Sequence, residues 1–188
     1  MDTRDLKIVC YTGGTCGDLI TAMIDHRDAT FYFKAVMHDK QRQQLKKPLS
    51  FANDEEKDVY LQQISGQYNS IPSHDLDYHV KRKHQFISIT VEDPKAALWA
   101  ANRFKRLHKP HVWQEMQQAC GSTTVEEYAE ILRHYSNMVK QHTDKIIPLE
   151  SIQQGSAIKE LESVLSIQIN QSGQTLYHNW LNLQRGIV

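Results

Sequence analysis

The chain predicts an α/β fold with a largely parallel central sheet, and three stretches carry that prediction. Ile8-Val9-Cys10 is a short apolar run, followed at once by a glycine-rich loop and by helical spacing from Asp18. Phe86 to Val91 is β-branched and aromatic, stops at Glu92-Asp93-Pro94, and gives way to a second helical pattern. Lys145 to Leu149 is a third short strand with a helix beyond it. Parallel strands need long crossovers, so strands alternating with helices favour a parallel sheet.

The 188 residues suit a single domain spanning the whole chain, and no linker divides it. The 22 Lys and Arg balance 22 Asp and Glu. A large cationic field is therefore not expected, and any nucleic-acid contact must come from a local patch. Three cysteines, Cys10, Cys16 and Cys120, with no CxxC pair and no signal peptide, point to a reducing cytoplasm. No apolar run approaches the roughly twenty residues of a membrane span, so no membrane partner is expected. The oligomeric state stays open.

In chain order, the first helix starts at Asp18, buries Leu19, Ala22 and Met23, and ends near Asp25 to Asp28. Thr30 to Met37 is aromatic and β-prone, a short strand or an ordered loop. Lys40 to Lys47 is polar, and Pro48 breaks whatever precedes it. Acids at Asp54, Glu55 and Glu56 open a helix to about Ile64, with Val59, Tyr60 and Ile64 inward. Ser70 to Asp75 is a turn or strand end, and Asp77 to Lys83 is polar and basic. After the strand from Phe86, Asp93 caps and Pro94 opens a helix to about Leu107, with Ala97, Leu98, Ala101 and Phe104 on its apolar face. Val112 to Ala119 is a short helix. Ser122 to Glu127 caps the longest one, Val125 to about His142, which buries Tyr128, Ile131, Leu132, Tyr135 and Met138. Helices over Ala157 to Leu165 and Leu176 to Leu183 finish the chain.

The loop after the first strand is the main chemical candidate. Thr12-Gly13-Gly14-Thr15-Cys16-Gly17 joins a strand to a helix, the arrangement that aims backbone N–H groups at a phosphate. Glycine lets an anion touch the backbone and permits positive φ. A tight turn without a ligand is the alternative. Cys16 is either a loop spacer or a thiolate exposed at a helix N-terminus.

The layout resembles the P-loop kinase and sulfotransferase group. The resemblance is carried by Tyr11 to Asp18, by Ile87 to Trp99 with its strand, Asp-Pro turn and helix, and by Ile146 to Ile152 followed by Ile158 to Leu165. It covers most of the chain in layout and few residues in detail. It implies a three-layer P-loop kinase-like fold. Against the Walker pattern, Thr12 stands at the first glycine, Asp18 at the lysine and Leu19 at the Ser/Thr. Within that group the loop and compact size resemble small bacteriophage kinases that phosphorylate the hydroxymethyl group of 5-hydroxymethyluracil in DNA.

The resemblance implies a phosphotransferase that moves the terminal phosphoryl of ATP or GTP, with Mg²⁺, to a hydroxyl, with DNA as one candidate acceptor and the cytoplasm, the host's if the protein is phage-encoded, as location. Thr12, Gly13, Gly14, Thr15, Cys16 and Gly17 would bind the nucleotide, and Thr15 and Asp18 the metal. Asp75 would take the acceptor's proton, and Arg103 or Arg106 would neutralise developing charge. His74, Lys81 and Lys83 would line the path of the DNA.

Each of these residues also has a plain structural use. Asp75 suits an Asx turn or helix cap, and Arg103, Arg106 and Lys109 suit a solvated helix end. Tyr32, Trp99, Trp113 and Trp180 can stack on a base or fill a core. His74, Asp75 and His79 form a weak zinc candidate without a third ligand at a diagnostic spacing. A sulfotransferase, a glycosyltransferase-like enzyme (Gly-Gly-Thr-x-Gly-Asp is similar to the first loop of some) and a non-catalytic nucleotide-binding module remain open.

Overall fold

The computed structural model describes residues 7–25, 53–64 and 69–185. Four strands form one all-parallel sheet: β1 (Lys7–Cys10), β2 (Ser70–Ser73), β3 (Phe86–Thr90) and β4 (Ile146–Pro148), in the order β2-β1-β3-β4. Helices fill the connections: α1 (Gly17–Ile24), α2 (Asp54–Ile64), α3 (Leu76–Lys81), α4 (Pro94–Leu107), α5 (Pro110–Cys120), α6 (Val125–Val139), α7 (Leu149–Gln154), α8 (Ala157–Leu165) and α9 (Gln171–Gln184). This is an α/β fold consistent with three layers.

Strand alternation sorts the core into two clusters. Val9, Ile87, Ile89 and Ile147 enter the larger one with α1, α4 and α6 to α9. Ile8, Cys10, Ile71 and Phe86 enter the smaller one with Leu61 of α2, Leu76 and Tyr78 of α3, and Val139. Ile8 faces Ile71 on one side and Phe86 on the other, so β1 is central in register as well as in order.

Caps follow the sequence closely. The Asp93 carboxylate accepts the N–H groups of Lys95 and Ala96 ahead of Pro94. Thr124 and Glu127 close a reciprocal capping box that starts α6. α3 starts at the helix cap that Asp75 offers in the sequence, whereas α7, which begins directly after Pro148, had no sequence signal.

Three apolar residues expected inside lie outside. Val59, Leu98 and Met138 are exposed at 52%, 36% and 37%. Each sits one or two positions off the stripe that the helix buries. Leu61 carries the burial of α2, Ala97-Ala100-Ala101-Phe104 that of α4, and Tyr128-Leu132-Ser136-Val139 that of α6. The strand or loop expected over 30–37 and the polar stretch up to Pro48 lie outside the described residues, as does Tyr32.

Candidate functional site

The strand order fixes where to look. The chain passes from β1 to β2 on one side and then crosses to β3 on the other. Open α/β sheets bind ligands beyond the carboxyl ends of the strands at such a switch. The glycine loop leaves β1 at that place.

The loop is a compact curl. Gly14 (φ +97) and Cys16 (φ 68) both take left-handed backbone. The Thr15 amide and hydroxyl both donate to the Thr12 carbonyl, at 3.2 and 2.8 Å, and close the turn. The carbonyls point into the protein: Gly13 O accepts the Tyr128 hydroxyl at 3.2 Å, and Gly14 O accepts Arg103 Nη1 at 3.2 Å. In a trans peptide the N–H lies opposite the C=O, so the Gly14 amide, which shares its peptide with Gly13 O, faces away from α6, while the Thr15 amide, opposite Gly14 O, closes the turn onto Thr12. Among the described residues, no acceptor meets the N–H groups of Gly13, Gly14, Cys16, Gly17 or Asp18.

The loop after β3 makes a useful contrast. There the amides of Glu92 and Asp93 both donate to the Glu150 carboxylate, at 3.0 and 2.8 Å. Arg133 holds the Glu92 carbonyl, and Lys140 pairs with the Glu92 side chain. One loop at the switch has its amides bonded to a carboxylate, and among the described residues the other does not.

The glycines serve packing as well. A Cβ on Gly14 would lie 2.2 Å from the Ala100 carbonyl oxygen, one on Gly13 2.5 Å from the Phe104 ring, and one on Gly17 2.1 Å from the Tyr11 ring. The space above these Cα atoms is occupied by protein, so an anion can reach the loop only from its amide side.

Cys16 departs from the exposed-thiolate expectation. It is buried, and burial pushes its thiol up, against a smaller opposing pull from Arg103. It caps α1 with backbone alone, with no side-chain hydrogen bond to the helix.

Tyr11, Asp18 and His74 join across the strand ends. The Tyr11 hydroxyl donates to Asp18 Oδ1 at 2.7 Å. The Tyr11 ring lies 4.2 Å, centroid to centroid, from the His74 ring. His74 Nδ1 sits 2.8 Å from the Tyr11 carbonyl oxygen. A carbonyl only accepts, so Nδ1 carries the proton and Nε2 is the basic nitrogen of the exposed ring.

Asp75 is engaged differently. Its Oδ1 caps α3 by accepting the Tyr78 N–H at 3.1 Å, and its Oδ2 pairs with Lys57 Nζ at 2.5 Å. Burial raises its pKa, but the Lys57 and Tyr78 hydrogen bonds outweigh that and hold it below the usual carboxylate range.

Beneath it lies a relay. Ser73 Oγ accepts the Asp75 N–H at 3.2 Å and lies 2.8 Å from His79 Nε2. His79 Nδ1 lies 3.1 Å from His84 Nδ1. In the tautomers that use every group, Ser73 donates to His79 and His79 donates to His84. Burial first, and His84 second, press the His79 pKa down to about 3, so it is neutral near pH 7. Both His79 nitrogens are thus spent, and no group of three metal-ligating side chains occurs among the described residues. The zinc arrangement of His74, Asp75 and His79 is not assembled.

The remaining candidates separate into two groups. Arg103 reaches the glycine loop, while Arg106 is exposed one turn further along α4. Lys81 pairs with Asp54 and Arg82 with Asp58, at 2.6 and 2.8 Å, so α2 neutralises most of the basic run that also holds exposed Lys83. Trp113 and Trp180 are core residues, and Trp99 is half-buried at the surface. Tyr11, Lys57 and the Ser73-His79-His84 relay were not legible beforehand. Tyr11 beside the loop was the one available signal, and the other partners meet only through the fold.

No family model matches the chain. No curated protein and no solved structure matches it either. Among the described residues no helix is long and apolar enough to cross a membrane.

Proposed function

We propose that the protein is a phosphotransferase that moves the terminal phosphoryl of a nucleoside triphosphate to a hydroxyl. The observation that carries the reading is the set of loop amides without acceptors among the described residues, on four buried residues and the half-buried Asp18. Buried N–H groups left unpaired are rare, because each costs about 1–3 kcal/mol. Here five N–H groups at and just before the start of α1 have no acceptor among the described residues, beside a loop whose own amides are satisfied by Glu150. A phosphate supplies the missing acceptors.

The other parts follow from placement. Arg103 and Tyr128 hold the carbonyl side of the curl and so keep the amides turned outward. Mg²⁺ on the donor's phosphates supplies charge neutralisation. Asp18 is the loop carboxylate that fits it, whereas the Thr15 hydroxyl closes the turn. His74 is better placed than Asp75 to take the acceptor's proton, since its tautomer is fixed and Asp75 is held low by Lys57. The acceptor is the hydroxymethyl group of a modified base or another exposed hydroxyl. Arg106 is placed to meet the incoming charge.

A second reading has its own support. The glycine Cα positions are filled by Phe104, Ala100 and Tyr11, as expected of a packing turn in a non-catalytic module. Calorimetry with Mg-ATP and Mg-GTP, followed by incubation with labelled donor and hydroxymethylated DNA, separates them. Donor binding with label in a nucleoside after digestion supports the kinase. Donor binding without transfer favours the module. A sulfonate or sugar-nucleotide donor binding in place of ATP replaces the reaction class.

A further inference from the structure

The outer face of α4 carries two exposed cations, Lys105 and Arg106, beside Arg103 and Trp99. Residues 99, 102, 103 and 106 follow helical spacing and share one stripe, opposite the buried Ala97, Ala100, Ala101 and Phe104. With Lys105 they line an open cleft of about 470 Å³. Its described lining contains three cations, an indole and a carboxamide, and no carboxylate. Lys105 and Arg106 are exposed and make no ion pair among the described residues, unlike Lys81 and Arg82, which α2 neutralises.

Trp99 also borders a second cleft, of about 170 Å³, whose walls include Trp180, Gln153 and Arg185. The Trp180 indole is buried, and its Nε1–H has no hydrogen-bond partner among the described residues. Arg185 donates to the Gln154 carbonyl at the same place. The Arg103 guanidinium lies 5.8 Å from the Trp99 ring centroid and also reaches Gly14 O. Cations and a half-exposed indole thus run as one track beside the glycine loop.

We infer that this track binds single-stranded nucleic acid. Phosphates lie along Arg106, Lys105 and Arg103, and a base stacks on Trp99. The indole decides against a duplex, whose bases are closed within the stack. The combination of cationic groove and aromatic platform is how single strands are held without sequence readout. With formal net charge zero, binding depends on this local patch. As a ligand the strand is independent of the phosphotransferase reading; as the acceptor that carries the hydroxyl it rests on that reading.

The test is fluorescence anisotropy with a labelled oligothymidylate of about twenty nucleotides, alongside a duplex of equal length and unlabelled heparin. The single strand is expected to bind most tightly, to weaken with salt, and to quench tryptophan emission. Lys105→Ala with Arg106→Ala, both exposed positions, is expected to weaken binding about tenfold or more. Trp99→Phe is expected to remove the quenching while circular dichroism and melting stay unchanged. Equal affinity for the duplex, wild-type binding by the double variant, quenching that survives Trp99→Phe, or no binding overturns the inference. Binding without any phosphoryl transfer leaves it standing and counts only against the enzyme.

Discussion

Arg103 Nη1 donates to the carbonyl oxygen of Gly14 at 3.2 Å, so the second turned glycine of the β1 loop is held from α4. The contact ties loop direction to helix position. It also explains why an arginine, whose fork reaches past its own helix, stands above a wall of small alanines.

Arg103→Ala should loosen the curl without unfolding the protein. The expected cost is about 1 kcal/mol of stability, the usual scale for a half-exposed charged hydrogen bond. A larger effect, about tenfold, is expected on Mg-nucleotide affinity by calorimetry. Unchanged affinity would separate the carbonyl contact from the amides.

Gly14→Ala should be far worse than Gly121→Ala. Both glycines have positive φ, but a Cβ on Gly14 meets the Ala100 carbonyl oxygen at 2.2 Å while one on Gly121 meets nothing within 4 Å. Chemical denaturation should show a loss of about 1 kcal/mol at Gly121, and about 3 kcal/mol or more at Gly14. Equal losses would mean that the loop does not press against α4.

The His79–His84 pair predicts acid sensitivity. The folded pKa of His79, about 3, lies below the unfolded value of about 6.5. Between these values the unfolded chain binds the extra proton, so stability falls as pH drops from about 6.5 toward 3. The His84 shift has the same sign, again from burial. The loss should be on the order of 3 kcal/mol across that window. Melting scans against pH should show a shallower slope in His79→Gln, and an unaltered slope would contradict the assignment.

His74→Gln should separate chemistry from binding. The transfer rate should fall by about 10²–10⁴, with donor affinity kept. Asp75→Asn should mainly cost stability, about 1 kcal/mol, through the α3 cap and the Lys57 pair. The reverse pattern would return the base role to Asp75.

Thiol alkylation followed by peptide mass spectrometry should modify Cys120 first. Cys10 is buried with its pKa pushed up to about 12, chiefly by burial, and Cys16 is buried and raised as well. Cys120 is half-buried. Faster modification of Cys16 would mean that the loop opens.

Much of the fold was legible because its signals are local. The β1 run, the Asp93-Pro94 start and the Thr124 capping box each specify structure within a few residues. The limits of helical stripes were less legible: Leu98 and Leu61 differ from their neighbours only in which side the fold covers. The loop's location could be read from its glycines, but not its orientation. That depends on Arg103, Tyr128 and Ala100, about ninety residues away or more in sequence. The engagement of Asp75 likewise depends on Lys57, which no local spacing pairs with it.

The central claim is that the loop amides await an external anion, and amide NMR tests it most directly. On titration with Mg-ATP, the N–H resonances of Gly13, Gly14, Cys16, Gly17 and Asp18 should move together and saturate, while those of Glu92 and Asp93, already bonded to Glu150, stay still. If the loop resonances remain fixed at saturating nucleotide, or the only shifts fall elsewhere, the β1 loop is a packing turn and the phosphotransferase reading fails.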